Sequence, residues 1–308
     1  TTGIENTLLG GVAGDALTDA DFNVAIGTSA LGSDTLGSHS VAIGRRALLE
    51  QNFSTATDVY NVAVGSSAGQ NVTTGSSNTL IGGLAGDALT TGSNNVALGV
   101  GALSTEDTGG RSVALGVNAL GQQNVDGNVY NVAVGHAAGN NVTTGTLNTF
   151  VGGLAADAIT DGTRNVAVGY AALSTDTRGQ RSTAIGYGEL ADQNLTTASA
   201  THNTAVGYLA GGAITTAVRS TILGALASDA ATTGERNVAL GYAALSADTK
   251  GNRSVSIGYE ALGTQNFSTS TDNYNVGIGY LAGNVISTGV QNTLVGGLSG
   301  DVLTDADD

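Results

Sequence analysis

A short motif recurs at a fixed spacing along the whole chain, and this repeat restricts the possible folds more than any other feature. One copy, Asn237 to Leu245, runs N-V-A-L-G-Y-A-A-L, and each copy begins at an asparagine or serine that we call its anchor. Successive anchors lie 17, 17, 21 and 17 residues apart, except for one 19-residue step. The anchors are Asn6, Asn23, Ser40, Asn61, Asn78, Asn95, Ser112, Asn131, Asn148, Asn165, Ser182, Asn203, Ser220, Asn237, Ser254, Asn275 and Asn292. Such a period is typical of arrays in which each unit packs on its neighbours.

The order of residues after each anchor predicts one short strand per coil. Positions are counted from the anchor, so that Val238 is at +1 when Asn237 is the anchor. Position +1 is always valine or threonine, position +3 is leucine, isoleucine or valine, and position +4 is glycine in all seventeen coils. β-Branched residues favour strands. The glycine predicts either a positive φ or a close approach of another backbone.

Position +2 is also apolar in nearly every coil, although its side chain points away from those at +1 and +3. It is alanine in most coils and larger in the first coil of each group of four. We expect +1 and +3 to face the core of the coil, which leaves +2 to be buried against a second copy of the chain. The predicted interface of a parallel homotrimer therefore contains Ala97 and Ala167, with the larger Leu80, Phe150 and Ile222 recurring every four coils.

These patterns predict an all-β fold, a parallel β-solenoid of about seventeen coils in units of four. Because each coil extends the same core, residues 1–308 are expected to form a single rod, a fragment of a longer fibre since neither end has a recognisable capping unit. The longer return in the third coil of each four, such as Gln51 to Tyr60, is expected to protrude as a loop. In T-T-G turns such as Thr73 to Gly75, glycine is expected to supply a positive φ.

Composition excludes several classes of partner. The formal net charge is −15 and the chain has one lysine, whereas nucleic-acid binding depends on clustered lysine and arginine, so no nucleic-acid partner is expected. No apolar run approaches the roughly 18 residues of a membrane helix, so no membrane insertion is expected. The absence of cysteine leaves the redox compartment open.

Several copies of the motif resemble the repeats of two related groups of fibres. Asn237 to Leu245 and Asn203 to Gly211, N-T-A-V-G-Y-L-A-G, resemble the repeats of bacteriophage tail-fibre shafts. Ser254 to Tyr259, S-V-S-I-G-Y, and Ser182 to Tyr187, S-T-A-I-G-Y, resemble those in the heads of trimeric autotransporter adhesins. The resemblance covers the whole chain and implies a left-handed β-roll that trimerises, lies outside the cell on a cell surface or virion, and works in attachment.

Tyrosine follows the invariant glycine in six of the later coils. These are Tyr170, Tyr187, Tyr208, Tyr242, Tyr259 and Tyr280. Rings stacked at coil spacing predict an aromatic column, which either binds a sugar or other receptor or serves only to stiffen the array.

The remaining candidate residues indicate no catalytic, metal or cofactor site. Aspartates recur at +9 in the first coil of each four, about 19 Å apart by strand spacing, and one carboxylate per level is too few for calcium. They are Asp15, Asp87, Asp157, Asp229 and Asp301. The three histidines occupy two different coil positions and match neither a metal nor a triad pattern. Arg111, Arg181 and Arg253 each precede a serine anchor, where a charged rim or a neighbouring carboxylate is expected.

Three functions from different classes follow. The leading hypothesis is the rigid structural shaft of an extracellular adhesive fibre, whose partners are further copies of the chain and a receptor or glycan on a host or prey cell. The alternative is a glycan- or receptor-binding module that uses the tyrosine column or the third-coil loops. An enzyme such as a polysaccharide depolymerase needs paired carboxylates in a groove, and no such pair recurs, so no enzyme is expected.

Overall fold

The computed structural model describes residues 2–305, which form a parallel β-solenoid of about 17 coils and contain no helix. The chain divides into two compact units, Thr1–Gly153 and Leu154–Asp308, with nine and eight anchors. No segment of the described residues is a helix of the length and apolarity needed to cross a membrane.

Each coil begins with a three-residue strand directly after its anchor, and some returns add a two-residue strand. The first unit contains β1 (Thr7–Leu9), β2 (Val24–Ile26), β3 (Gly37–Ser38), β4 (Val41–Ile43), β5 (Thr57–Asp58), β6 (Val62–Val64), β7 (Thr79–Ile81), β8 (Val96–Leu98), β9 (Val113–Leu115), β10 (Val132–Val134) and β11 (Thr149–Val151). The second unit contains β12 (Val166–Val168), β13 (Gly179–Gln180), β14 (Thr183–Ile185), β15 (Ser199–Ala200), β16 (Thr204–Val206), β17 (Thr221–Leu223), β18 (Val238–Leu240), β19 (Gly251–Asn252), β20 (Val255–Ile257), β21 (Thr271–Asp272), β22 (Val276–Ile278) and β23 (Thr293–Val295).

Strands of neighbouring coils pair in parallel at identical coil positions. Val24 of β2 lies opposite Val41 of β4, and Val238 of β18 lies opposite Val255 of β20. Position +4 extends the ladder, because its amide donates to the +3 carbonyl of the preceding coil at 2.7–3.0 Å. Side chains at one position therefore form a column along each unit, with neighbouring members about 4.8 Å apart at the backbone.

The side chains at +2 form the core of the coil, and those at +1 and +3 face outward. Ala97, Ala167, Leu80, Phe150 and Ile222 are all 0% exposed within a single chain. The prediction that these five line an interface between copies is therefore wrong, because side chains enclosed by their own coils have no surface left for a second copy. Positions +1 and +3 are half-buried or exposed in every coil, which reverses the expected orientation of the strand.

The anchor explains why the strand faces this way. Asn78 is fully buried, its Nδ2 donates to the carbonyl of Gly92 at 2.9 Å, and its Oδ1 accepts from the amide of Asn95 at 2.9 Å. Buried backbone groups need such partners, so the anchor side chain points into the coil. Residues two apart in a strand share a face, so +2 follows the anchor into the core.

The corners of a coil use left-handed backbone at residues other than glycine. In one coil, Arg236, Ala243 and Leu245 have φ values of 60°, 50° and 54°. Such a conformation costs roughly 1–2 kcal/mol per residue. The hydrogen bonds and packing between coils must therefore offset a recurring cost at every corner.

The invariant glycine at +4 satisfies both predicted requirements. Its φ lies between 128° and 144° in all seventeen coils, and a Cβ added to Gly169 would lie 1.5 Å from the carbonyl oxygen of Gly186. The T-T-G glycine differs from the prediction, because Gly75 has no positive φ. A Cβ on Gly75 would instead lie 2.3 Å from the carbonyl oxygen of Gly92, so close backbone approach is what requires glycine there.

The long return of the third coil is partly a strand. β5 pairs with β3, β15 with β13, and β21 with β19, each in parallel with the preceding coil. Exposed residues such as those at 54–56 form the tip of the return. The expected protruding loop is thus limited to this tip, because the pairing holds the rest against the neighbouring coil.

Candidate functional site

Each unit has an outer sheet face, which we define as the columns at −1, +1, +3 and +5. In the coil of Asn165, Arg164 and Tyr170 are exposed and Val166 and Val168 are half-buried, while the anchor and position +2 are buried between them. The columns at +1 and +3 contain valine, threonine, leucine or isoleucine in every coil. The columns at −1 and +5 vary, and this is where coils differ in what they present to solvent.

The six predicted tyrosines lie at +5 in the second unit and form two stacks of three, separated by Ala225. Tyr170, Tyr187 and Tyr208 form one stack, and Tyr242, Tyr259 and Tyr280 form the other. Neighbouring ring centroids are 5.3–5.6 Å apart, and their planes lie within 20° of parallel. The six residues are 44–56% exposed. Stacking covers the faces of the central rings and leaves edges and hydroxyl groups open to solvent.

An aromatic column at −1 in the first unit was missed from the sequence. Phe22, His39 and Tyr60 stack with centroid distances of 4.9 and 5.1 Å. In the same column the guanidinium of Arg111 lies 5.5 Å from the ring centroid of Tyr130. The signal was present at −1 of consecutive coils, but three different residue types concealed it.

The arginines that precede serine anchors are exposed or half-buried at −1. Arg253 has the expected carboxylate partner, with its Nη1 3.0 Å from Oδ2 of Asp272, and it also lies over the ring of Tyr274. Arg181 Nη1 is 3.4 Å from Nε2 of His202. Contacts of this kind at the surface contribute little to stability.

A buried carboxylate and a buried glutamine form a pair in each group of four coils, and the sequence analysis missed this pair. Asp34 and Gln51 are both at +11 and both 0% exposed. Gln51 Nε2 donates to Asp34 Oδ2 at 2.5 Å and to Oγ of the anchor Ser40 at 2.9 Å, while Gln51 Oε1 accepts from Nδ2 of Asn61 at 2.9 Å. The equivalent pairs are Glu106 with Gln123, Asp176 with Gln193, and Asp248 with Gln265.

These glutamines extend the anchor ladder where the anchor is serine. A serine side chain lacks the amide that an asparagine offers, and the glutamine at +11 of the same coil supplies one. Ser220 lacks such a glutamine, because its coil has Ala231 at +11. There the backbone amide of the next anchor, Asn237, donates directly to Ser220 Oγ at 3.3 Å. The carboxylates accept several donors each, and burial raises the pKa of Glu106 despite its bond from Gln123. The clusters therefore stabilise the core, and their side chains are closed to solvent.

Glu189 is one of two exceptions, with Ser299, to a core position that is alanine in fifteen of the seventeen coils. It occupies +7, is 0% exposed, and neither of its carboxyl oxygens has a hydrogen-bond partner. Burial raises the pKa of Glu189 to about 7. The nearby backbone at Glu189 and Tyr187 offsets only part of the desolvation, although it forms no hydrogen bond of ordinary geometry with the carboxyl oxygens, and no charged side chain contributes to the shift.

The aspartates at +9 differ in how far their side chains are buried. Asp87, Asp157 and Asp229 are half-buried, and burial raises the pKa of each, whereas Asp15 and Asp301 are exposed. Asp87 Oδ1 and Asp157 Oδ1 are buried without a hydrogen-bond partner. Nowhere among residues 2–305 do three histidine, aspartate or glutamate side chains gather in an arrangement that could hold a metal ion.

Comparison with known proteins finds no match to this chain among family models, curated proteins or solved structures. The parallel solenoid is consistent with the β-roll that the resemblance to fibre repeats implies. Strand pairing alone therefore establishes the fold, and the motif resemblance bears on function.

Proposed function

We propose that this protein is the structural shaft of an extracellular adhesive fibre, which mediates or displays attachment to a cell surface. The observation that carries the proposal is the direction of the hydrogen bonds. Within each unit, strand and corner amides donate to carbonyls of a neighbouring coil, and an anchor side chain such as that of Asn78 accepts from the backbone amide of the next anchor, Asn95. A chain bonded in this way resists separation of its coils through many bonds at once, which suits a shaft.

The shaft is further proposed to be a parallel homotrimer whose interface uses only the +1 and +3 columns of the outer sheet face, so that the edge columns at −1 and +5 stay open. In each unit the columns at +1 and +3 offer half-exposed apolar side chains, among them Ile81, Leu98, Ile185 and Leu223. Contiguous apolar strips of this kind usually lie at interfaces. A second copy of the chain has the same spacing of about 4.8 Å, so its side chains stay in register with the strip over many coils.

Light scattering and cryo-electron microscopy of the purified chain test this proposal together. We expect a trimeric mass and rod-shaped particles with the strands of the three copies parallel. The double substitution Leu98→Asp with Leu223→Asp, which places charges in the +3 column, should convert the trimer to a monomer with an unchanged circular dichroism spectrum. A wild-type chain that stays monomeric at high concentration would contradict the homotrimer.

A second candidate function, binding of a neutral glycan or other receptor, is favoured by the two exposed tyrosine stacks. Edges and hydroxyl groups of six tyrosines form two strips in the second unit. Binding of uncharged glycans on an array, and its loss in Tyr187→Ala with Tyr259→Ala, would support this function. An array without signal for the trimeric wild-type chain would leave the shaft as the better proposal.

A further inference from the structure

The column at −1 in the second unit is basic over six consecutive coils. Its members are Arg164, Arg181, His202, Arg219, Arg236 and Arg253. The second unit has seven lysine and arginine residues, five of them in this column, against fourteen aspartate and glutamate residues. A continuous basic column therefore runs along a unit that is acidic as a whole.

The backbone holds the members of this basic column in register. All six have φ between 53° and 64°. The amides of Arg181 and Arg236 donate to the −2 carbonyls of the preceding coils, Thr163 and Val218, at 3.1 and 3.0 Å. Five members are exposed and Arg253 is half-buried. The side chains therefore start from points one coil apart, about 4.8 Å.

Three of the five arginines in the basic column have no acidic neighbour. The two arginines at its C-terminal end form ion pairs at 3.0 Å, with Glu235 and Asp272. Within the described part of the chain, no carboxylate oxygen lies within 4.0 Å of Arg164, Arg181 or Arg219. Like charges at this spacing repel each other, and anions from outside the chain would relieve the repulsion.

The fold itself does not require arginine at this position. In the first unit the same column contains Glu5, Phe22, His39, Tyr60, Ser77, Asn94, Arg111, Tyr130 and Leu147, all with φ between 56° and 66°. The left-handed conformation favours glycine, asparagine, aspartate and histidine over arginine. The run of arginines in the second unit therefore reflects what the column presents to solvent and has no conformational cause.

We propose that the basic column of the second unit binds a linear anionic polysaccharide, which lies along the unit and places carboxylate or sulfate groups against successive guanidinium groups. Arginine binds both anions through paired N–H donors. A row of guanidinium groups at coil spacing, interrupted only by His202, at an open edge of the sheet suits a ligand with its own repeated charge better than it suits a compact molecule. The proposal deepens the attachment role proposed above, since it rests on that role for its biological setting and names the partner class.

The same face is less suited to a nucleic acid. Single strands bind where bases stack on free aromatic faces. In each tyrosine stack the central ring has both faces covered by its neighbours, at 5.3–5.6 Å. The tyrosines also lie at +5, six residues from the arginines, so the two columns are on opposite sides of the outer face. A polyanion on the basic column therefore lies away from the tyrosine rings.

Calorimetric titration of the full chain with polygalacturonate and with dextran sulfate tests the proposal, and poly(dT) is the nucleic-acid comparison. The test variant is Arg164→Gln with Arg181→Gln and Arg219→Gln. The control, Arg45→Gln with Arg46→Gln and Arg178→Gln, removes the same charge from arginines outside the column. We expect the wild-type chain and the control to bind at least one polysaccharide, and the test variant to bind about 10-fold more weakly with a shallower salt dependence.

Three outcomes would overturn the proposal: no binding of either polysaccharide at low salt, an equal loss in the control variant, or tighter binding of poly(dT). Whether the basic column prefers carboxylate or sulfate groups follows from which of the two polysaccharides binds more tightly. Light scattering on the same samples separates this test from the test of the shaft. A trimer that binds no polyanion would contradict only the polysaccharide-binding role of the basic column. A monomer that binds a polyanion would contradict only the homotrimer.

Discussion

The cores of the two units are built from the same pattern of residues, but the units differ in the side chains that they present to solvent. In both, buried asparagine or serine anchors and a glycine with positive φ at +4 recur, and +2 is mostly alanine with a larger apolar residue every four coils. On the outer sheet face, the first unit has a mixed −1 column and a +5 column without tyrosine. The second has six basic residues at −1 and six tyrosines at +5. The difference shows that packing fixes the inward positions, whereas the edge columns are free to differ.

Two substitutions of the glycine at +4 test whether the backbone of both units excludes a side chain at this position. Gly65→Val in the first unit and Gly169→Val in the second should each destabilise by at least about 4 kcal/mol, because φ is positive and an added Cβ meets the next coil's carbonyl group. Thermal melting measures the loss. The controls are Gly83→Val and Gly297→Val, where an added Cβ meets no atom closer than 3.9 Å. A large loss of stability for only one of the two glycine substitutions would mean that the backbone at +4 is not equally constrained in the two units.

The second prediction tests the assignment of inside and outside. Ala97→Asp should destabilise the first unit by roughly 3–5 kcal/mol, because it places an unpaired charge in the core, and Ala167→Asp should do the same in the second unit. The matched control Leu98→Asp lies one residue along the same strand at 48% exposure in the single chain, so at protein concentrations low enough to keep the chain monomeric its effect on stability should stay within about 0.5 kcal/mol. Urea denaturation measures all three. Similar values for Ala97→Asp and Leu98→Asp would mean that the strand orientation is wrong.

The third prediction concerns Glu189, a core feature found only in the second unit. Its folded-state pKa of about 7 exceeds the ordinary 4.5, so the folded chain binds the proton more tightly. Stability is therefore fully present below pH 4.5 and declines as pH rises through 7, by about 3 kcal/mol in total. Glu189→Ala should remove this decline and be the more stable form at pH 8.

Ala119 occupies the equivalent position in the first unit, so Ala119→Glu should introduce a similar pH dependence there. Melting temperatures between pH 4 and pH 8 would measure it, with Glu260→Gln as a control at a residue outside the core. A wild-type melting temperature that does not change over this range would contradict the raised pKa of Glu189, because it would mean that the carboxyl group has a hydrogen-bond or charged partner in solution.

The stacked rings of the edge columns should contribute less to stability than the core does, and removal of one central ring in each unit compares the two stacks. Tyr187→Ala removes the central ring of one stack and should cost about 1 kcal/mol, since two stacking contacts of 5.6 Å are lost at an exposed site. His39→Ala in the first unit removes the central ring of the Phe22 and Tyr60 stack and should cost a similar amount. Chemical denaturation measures both, and Thr28→Ala, at +5 without a ring, is the control. If Tyr187→Ala lowered stability much more than His39→Ala does, Tyr187 would have a role in stability beyond ring stacking.

How much of the candidate site the sequence predicted differs from column to column. The tyrosine column could be predicted because one residue type repeats at one position. The stack of Phe22, His39 and Tyr60 could not, because only the shared position relates three unlike residues. The pairs of buried carboxylate and glutamine were missed because each pair joins residues of two coils, as in Asp34 and Gln51, and the periodicity of one coil does not reveal it.

The number of coils, the position of the strand in each coil and the need for glycine at +4 could all be predicted from the repeat. Each of these follows from a period or from one residue's backbone geometry, which are local properties. The face of the strand that points inward could not be predicted in this way, because it depends on contacts between coils. Both faces of the Val96–Leu98 strand are apolar, so alternation alone cannot choose between them. The choice comes from the anchor, whose amide must bond to backbone groups of neighbouring coils, and this places Ala97 inside and leaves Leu98 at the surface.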